Sequence, residues 1–274
     1  MAADIVPELL ELIQADFNEG ISNSAVVKAV NAAIEAGTAT HKDALKYAQE
    51  VGKILESAYK KHITVAALPD GKMYYNIAKR IIDPTLRADH ALVADITVSI
   101  QDALNSQAGI GIKGIRPMAN TDRIKGFIER LSTEQFDDVS WLLEKPIENF
   151  SMAVVDDVVR ANADFHSRAG LKPTITRTVV SETCDWCSNL AGTYDYEEVK
   201  ATGHPVFLRH RNCDCLVEYD PGDGTSKTNV HTKKVAGSRE DKAAQIELME
   251  KREARYKKEE EKKRKARIAK AKQV

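Results

Sequence analysis

The sequence has few of the residues that make tight turns and all-β domains. Only 6% of its 274 residues are aromatic, and it contains 14 glycines and 8 prolines, a composition that argues against a sandwich rich in turns. The 43% of hydrophobic residues can bury a substantial core, and the length suits one large domain or two modest ones. A peptide hormone and a disulfide-bonded mini-protein are excluded, and a mainly α fold is favoured.

Long apolar runs are also missing. No stretch approaches the roughly 18 residues of a membrane-spanning helix. Residues 1–19 are acidic and amphipathic, unlike the basic leader and apolar run of a secretory signal. We therefore expect no membrane contact and a protein made in a reducing cytoplasm, where clustered cysteines favour a metal over disulfides.

The net charge of −1 conceals two regions of opposite sign. Residues 1–226 contain 23 Lys and Arg against 33 Asp and Glu, whereas residues 227–274 contain 17 against 8. Apolar residues nearly vanish in the second region, and its Glu–Lys and Glu–Arg pairs at i,i+4 favour a helix without fixing one. We predict an acidic body followed by a charged helix or a disordered basic tail.

Apolar residues recur at helical spacing through residues 1–170. Thr40 and Asp43 form a weak capping box at the start of one helix, and Pro146 suits the first turn of a long one. A glycine-rich break at 109–120 interrupts the pattern. We expect this break to act as a hinge between two helical layers.

From Thr174 onward the sequence turns to β-branched and alternating residues. We predict short strands here, at residues 174–180, 206–208 and 216–219. These strands bracket the cysteines, so the sulfur atoms are expected at the turns of a small β-rich module. The predicted domains are a multi-helix body at 1–170, the small β-rich zinc-binding module at 171–226 and the basic tail at 227–274.

All four cysteines fall within one 32-residue window, which indicates a local need for sulfur. Cys184 and Cys187 form a C-x-x-C pair, Cys213 and Cys215 form a C-x-C pair, and His210 stands three residues before Cys213. Zn²⁺ takes four tetrahedral nitrogen or sulfur ligands, and a C-x-x-C turn supplies two of them. We predict one structural Zn²⁺ per chain, held by the four cysteines or by the first pair, His210 and one of the second pair.

Redox-active or disulfide-bonded thiols are the competing interpretation. Thioredoxin-type chemistry expects its C-x-x-C near a βαβ unit, and no such alternation precedes Cys184. The zinc-deaminase signature, H-E-x-x-H and the phosphate-binding loop are all missing from the sequence. We therefore predict no catalytic residues and no enzyme activity.

The remaining polar and aromatic residues of this region have structural interpretations. Trp186 is expected to cover the metal site by packing, and His204 is an outside candidate ligand. The acidic pair Asp156 and Asp157 is expected on a solvated helix face. Four aromatic residues are expected to form the small core of the module: Tyr194, Tyr196, Phe207 and Tyr219.

Residues 145–220 resemble the phage head morphogenesis family, the minor capsid proteins similar to protein F of phage Mu. The motifs that carry the resemblance are, in chain order, Ala169-Gly170 after a helix, Thr178-Val179-Val180, Cys184-x-x-Cys187, Leu190-Ala191-Gly192, Pro205-Val206-Phe207 and His210-x-x-Cys213-x-Cys215. The resemblance implies a virion protein that assembles in the host cytoplasm. It would dock on the portal or the major capsid protein, in the capsid interior or at the portal vertex, and act in head assembly and DNA packaging or ejection.

The resemblance also gives the basic tail a role to test. A basic arm could neutralise phosphates of packaged double-stranded DNA, and a solvated helix that meets an acidic protein is the other interpretation. The candidate DNA-binding residues are Lys257, Lys258, Lys262, Lys263, Arg264, Lys265 and Arg267. The alternative function is a zinc-dependent nucleic-acid-binding factor, in which Arg209, His210 and Arg211 add phosphate contacts.

Overall fold

The computed structural model describes residues 4–180 and 185–222, which are mainly helical with one small sheet. The helices are α1 (Val6–Asn23), α2 (Ala25–Glu35), α3 (His41–His62), α4 (Tyr75–Gln107), α5 (Thr121–Leu131), α6 (Phe136–Val139), α7 (Lys145–Arg168), α8 (Asp185–Leu190) and α9 (Tyr196–Thr202). The strands are β1 (Thr174–Thr178), β2 (Gly192–Asp195) and β3 (Leu216–Asp220). The prediction of a mainly α fold is confirmed, and the basic tail lies outside the described residues.

Local signals in the sequence mark several helix ends correctly. At the start of α3, the backbone N–H of Thr40 donates to Asp43 Oδ2 over 3.0 Å, completing the predicted capping box. Pro146 lies in the first turn of α7, where the missing N–H leaves no gap in the hydrogen-bond ladder. Residues 109–120 separate α4 from α5 without helix, and their role as a hinge stays a prediction.

The helical core is built around α3 and α7, the pair that packs most extensively. Gly52 of α3 lies against the backbone of α7, since an added Cβ would stand 2.6 Å from the Cα of Glu148. Aliphatic residues from α1, α3, α4 and α7 fill one continuous core around this contact. Of the helices in the described ranges, none combines the length and apolar character needed to cross a membrane.

The sheet is antiparallel, with the strand order β2-β1-β3. Ile175 of the central strand pairs with Tyr194 on one side and Tyr219 on the other. Ile175 belongs to a small apolar cluster completed by Val159 and Ala163 of α7, so the sheet packs on the end of that helix. The predicted aromatic core is confirmed, because Tyr196 and Tyr219 are buried in this cluster and Tyr194 and Phe207 pack against it.

Two local predictions for this region are wrong. Residues 206–208 do not form a strand, because Pro205–Phe207 is a 3-10 turn; proline fixes its own φ near the helical value and removes a ladder donor. Cys187 lies on the short helix α8 and not at a turn between strands. Strand β2 was not predicted, since Gly192–Asp195 carries no alternating apolar residues.

Candidate metal centre

Three of the predicted ligands converge beside the sheet. Cys187 comes from α8, and His210 and Cys213 come from the loop that leads into β3. Cys187 Sγ lies 2.9 Å from His210 Nε2 and 3.9 Å from Cys213 Sγ, and all three ligand atoms lie within 4.8 Å of one another. This group could hold a metal ion.

The other two predicted ligands, Cys215 and Cys184, are not part of this group of three. Cys215 is buried beside the group, and its thiol hydrogen-bonds with Cys213 and with Cys187. Cys184 lies outside the described residues. The outside candidate His204 stacks on Tyr194, with ring centroids 4.3 Å apart, and is not part of the ligand group that the described residues form.

The donor atoms fit a soft divalent metal such as Zn²⁺. With Zn–S bonds of about 2.3 Å in a tetrahedron, two sulfur ligands stand about 3.8 Å apart, and Cys187 and Cys213 match that spacing at 3.9 Å. His210 Nε2, at 2.9 Å from Cys187 Sγ, is at hydrogen-bond distance instead. The backbone N–H of Asn212 donates to His210 Nδ1 over 3.2 Å, so a neutral ring carries its proton on Nε2, facing the sulfur.

Arg177 supplies positive charge to the sulfur cluster. This central-strand residue is 1% exposed, and its Nη1 donates to the carbonyls of Val206 and Leu208 over 2.5 and 2.8 Å. Its Nη2 donates to Cys213 Sγ over 3.1 Å. Within the part of the chain that the structure describes, Arg177 makes no ion pair with a carboxylate. Because a buried cation needs a negative partner, the Cys213 sulfur takes that role.

Arg209 is also buried, but a carboxylate neutralises it. Its Nε and Nη2 donate to the two oxygens of Asp156 over 2.5 and 2.8 Å, and both side chains are almost fully buried. The expectation that Asp156 lies on a solvated face is therefore wrong, because Arg209 reaches it across 53 residues of chain. The expected phosphate contact by Arg209 is wrong for the same reason.

The pKa values of Cys213 and Cys215 are shifted in opposite directions. The hydrogen bond from the Cys215 thiol lowers the pKa of Cys213 to about 5, against the effect of burial and with help from the charges of Arg209 and Arg177. The same hydrogen bond, together with burial, raises the pKa of Cys215. Cys213 is thus the thiolate of the pair, and thiolate is the form that binds metals.

The metal loop, residues 209–215, is fastened to the helical core. Asn149 of α7 donates to the carbonyls of His210 and Arg211 over 3.0 and 2.5 Å. Gln49 of α3 donates to Asp214 over 3.4 Å. Sequence reasoning missed both anchors; the available signal was a polar residue, Asn149, next to the apolar stripe of a buried helix.

Trp186 packs on the cluster, as predicted. Its ring meets the His210 ring edge-on, with centroids 5.5 Å apart, and the Arg177 guanidinium lies 5.3 Å from its centroid. The side chain is half-buried against the three described cysteines. Trp186 therefore shields the sulfur atoms from water and keeps the local dielectric low.

Comparisons of the chain with protein-family models, with curated proteins and with solved structures found no match. The likeness to the head morphogenesis family rests on the sequence motifs. The seven lysines and arginines predicted to bind DNA lie outside the described residues, so that role stays a prediction.

Proposed function

We propose that this chain is a structural minor capsid protein of a tailed bacteriophage, acting in head morphogenesis at the portal or the capsid interior. The observation that supports a structural role is the closed sulfur cluster: Cys187, Cys213 and Cys215 are 3%, 0% and 2% exposed. Structural zinc sites are closed, whereas catalytic ones keep a position open for water or substrate. The metal is proposed to fix the loop against the helices, with no enzymatic step.

The proposed metal is one Zn²⁺ held by the thiolates of Cys184, Cys187, Cys213 and Cys215. This set leaves the Asn212 N–H bond to His210 intact, and His210 Nε2 then donates to the Cys187 sulfur. It also gives the buried Arg177 an anionic partner. When bound, the metal supplies a tetrahedral cross-link between α8 and the loop that leads into β3.

Metal analysis and cobalt substitution test this ligand set. The protein should carry about one zinc per chain, and a Cys213→Ser variant should carry none. A His210→Ala variant should retain the metal, with an unchanged four-sulfur cobalt spectrum. Loss of metal in His210→Ala would instead make the imidazole a ligand, and freely titratable thiols in a metal-free native protein would exclude the site.

The basic tail, residues 227–274, is proposed to contact packaged DNA. Its 17 Lys and Arg residues follow an acidic region, so DNA attraction would concentrate in the tail. Deleting the tail should remove most of the salt-sensitive retention on DNA and leave the helical content of residues 1–226 unchanged. Unchanged DNA retention by the truncated protein would contradict this role.

Virion composition tests the assembly proposal directly. Mass spectrometry of purified virions of the encoding phage should detect the chain, and a pull-down from infected cells should recover the portal or major capsid protein with it. Absence from both, combined with retained DNA binding, would instead support the zinc-dependent nucleic-acid-binding factor.

A further inference from the structure

Two arginines far apart in the sequence meet on one tryptophan. Trp141 lies on the 3-10 turn Ser140–Leu143, with the Arg130 guanidinium 5.1 Å and the Arg211 guanidinium 4.6 Å from its ring centroid. Arg130 belongs to the last turn of α5, whereas Arg211 is part of the metal loop. The tryptophan is half-buried and both arginines are exposed, so solvent reaches both cations.

No carboxylate in the described ranges neutralises either cation by an ion pair. Three acidic residues near these side chains along the chain, Glu129, Glu144 and Asp214, each pair with a lysine at 3.5 to 3.7 Å. Asp138, three residues before Trp141, forms no ion pair with either arginine. Both guanidiniums therefore contact the same aromatic ring, and neither has an ion-paired carboxylate among the described residues.

The pair is held in place by structure on both sides. The Arg211 carbonyl accepts a hydrogen bond from Asn149 of α7, and the neighbouring Arg209 is locked on Asp156. On the other side, Trp141 precedes the buried residues Leu142 and Leu143. Attraction to the face of an aromatic ring offsets part of the repulsion between the cations. The site is thus arranged before any ligand arrives.

We propose that Arg130 and Arg211, positioned on Trp141, bind a phosphate oxyanion. Guanidinium groups form paired hydrogen bonds with phosphate or carboxylate. A polyphosphate, or the successive phosphates of a nucleic-acid backbone, places several anionic oxygens close together and can supply both guanidiniums, whereas a single carboxylate supplies one charge on two oxygens. The source is the backbone of duplex DNA or a free polyphosphate; only the DNA source depends on the proposed function.

Tryptophan fluorescence of the full-length chain tests the site. The protein has two tryptophans, so Trp186→Phe leaves Trp141 as the reporter, and calorimetry on the wild-type chain measures the same affinity if that variant folds poorly. Sodium tripolyphosphate and a short DNA duplex are the probes. Arg130→Gln and Arg211→Gln should each weaken binding about tenfold. Arg87→Gln is the matched control, since Arg87 is an exposed arginine paired with Asp83 and should leave binding unchanged.

The outcomes separate the phosphate sources. If the arginine changes weaken binding of both probes, the site is a general phosphate site. If they weaken binding of DNA alone, the ligand is the nucleic-acid backbone, and if they weaken binding of tripolyphosphate alone, the ligand is a free polyphosphate. For DNA, each arginine change should also reduce the slope of log affinity against log salt by about 1. Equal binding of polyglutamate, or affinities that neither change alters, would overturn the proposal. Absence of the chain from virions would contradict the proposed capsid function and leave the phosphate site standing, so the two proposals can fail independently.

Discussion

The helical region and the sheet region are stabilised by different means. The helices share one large aliphatic core that runs through α1, α3, α4 and α7. The three strands have four or five residues each, and their apolar cluster is small. A sheet of this size buries too little apolar surface to be stable alone. We infer that the sulfur cluster, the buried arginines and the contacts with α7 supply the rest of its stability.

Removing the proposed metal should produce the largest difference in stability between the helical region and the sheet region. A structural zinc contributes on the order of 10 kcal/mol to small metal-dependent folds, and the sheet depends on the loop that carries the ligands. A chelator should abolish hydrogen-exchange protection in β1 and β3 and leave most of the helical circular dichroism. Added Zn²⁺ should restore protection and added Mg²⁺ should not. Equal protection with and without the metal would show that the apolar cluster suffices.

The ion pair between the regions gives the next largest effect. Arg209→Met leaves Asp156 buried without a counter-ion and should lower the free energy of unfolding by about 3–5 kcal/mol. Adding Asp156→Leu should recover most of that loss, because two apolar side chains need no counter-ion. Arg160→Met is the matched control, since Arg160 is exposed beside Asp157 and should cost less than about 1 kcal/mol. Chemical denaturation measures all three, and equal losses at Arg209 and Arg160 would contradict the assignment.

Among the described residues of the helical region, Asp89 of α4 is a buried acid without a cation. Ser151 of α7 donates to one of its oxygens over 2.7 Å, the other oxygen has no described partner, and burial raises the pKa of Asp89 to about 7. The folded state therefore favours the protonated acid. Stability from this group is complete below the unfolded pKa near 4 and is lost as the pH rises through about 7.

Asp89→Asn should remove this pH dependence. From about pH 5.5 to about pH 8, the wild type should lose about 2 kcal/mol in free energy of unfolding relative to the variant. The comparison cancels contributions from histidines and from the metal, which both proteins share. Parallel stability curves would show that Asp89 is already ionised in the folded protein.

The close approach of α3 and α7 gives an effect comparable to that of Asp89. Gly52→Ala forces a Cβ to within 2.6 Å of the Glu148 backbone and should destabilise by about 1–3 kcal/mol. Gly126→Ala is the control, because this position in α5 has no atom within 4 Å of the new Cβ. It should stabilise the protein by about 0.5–1 kcal/mol, as alanine favours helix. The same sign for both variants in thermal unfolding would contradict the packing argument.

Features set by neighbours in the chain were predictable from the sequence. Thr40 with Asp43 located a helix start, and Pro146 located the first turn of α7, because capping involves residues within one turn. The cysteine spacing likewise predicted a metal site from five candidate ligands, and three of these, Cys187, His210 and Cys213, converge. In each case the signal is a short-range pattern of residue types.

Features that depend on distant partners were not predictable in this way. Asp156 has the spacing of a surface acid, and only the fold reveals Arg209 opposite it. Arg177 lies on an alternating strand, where nothing local indicates that its charge faces sulfur. Strand β2 owes its existence to pairing with β1 and not to its own composition, since β preference depends strongly on context.

The pairing of β1 with β3 has a consequence in polymer terms. Thr178 pairs with Leu216, so the chain between them is a closed loop, and the Cys187–Cys213 contact closes a smaller loop, 26 positions apart, inside it. Either closure shortens the loop that the other must close, and because closure entropy grows only logarithmically with loop length, each lowers the entropic penalty of the other by about 1 kcal/mol. A metal bound early would thus shorten the search of β3 for β1, and a sheet formed early would gather the ligands for the metal.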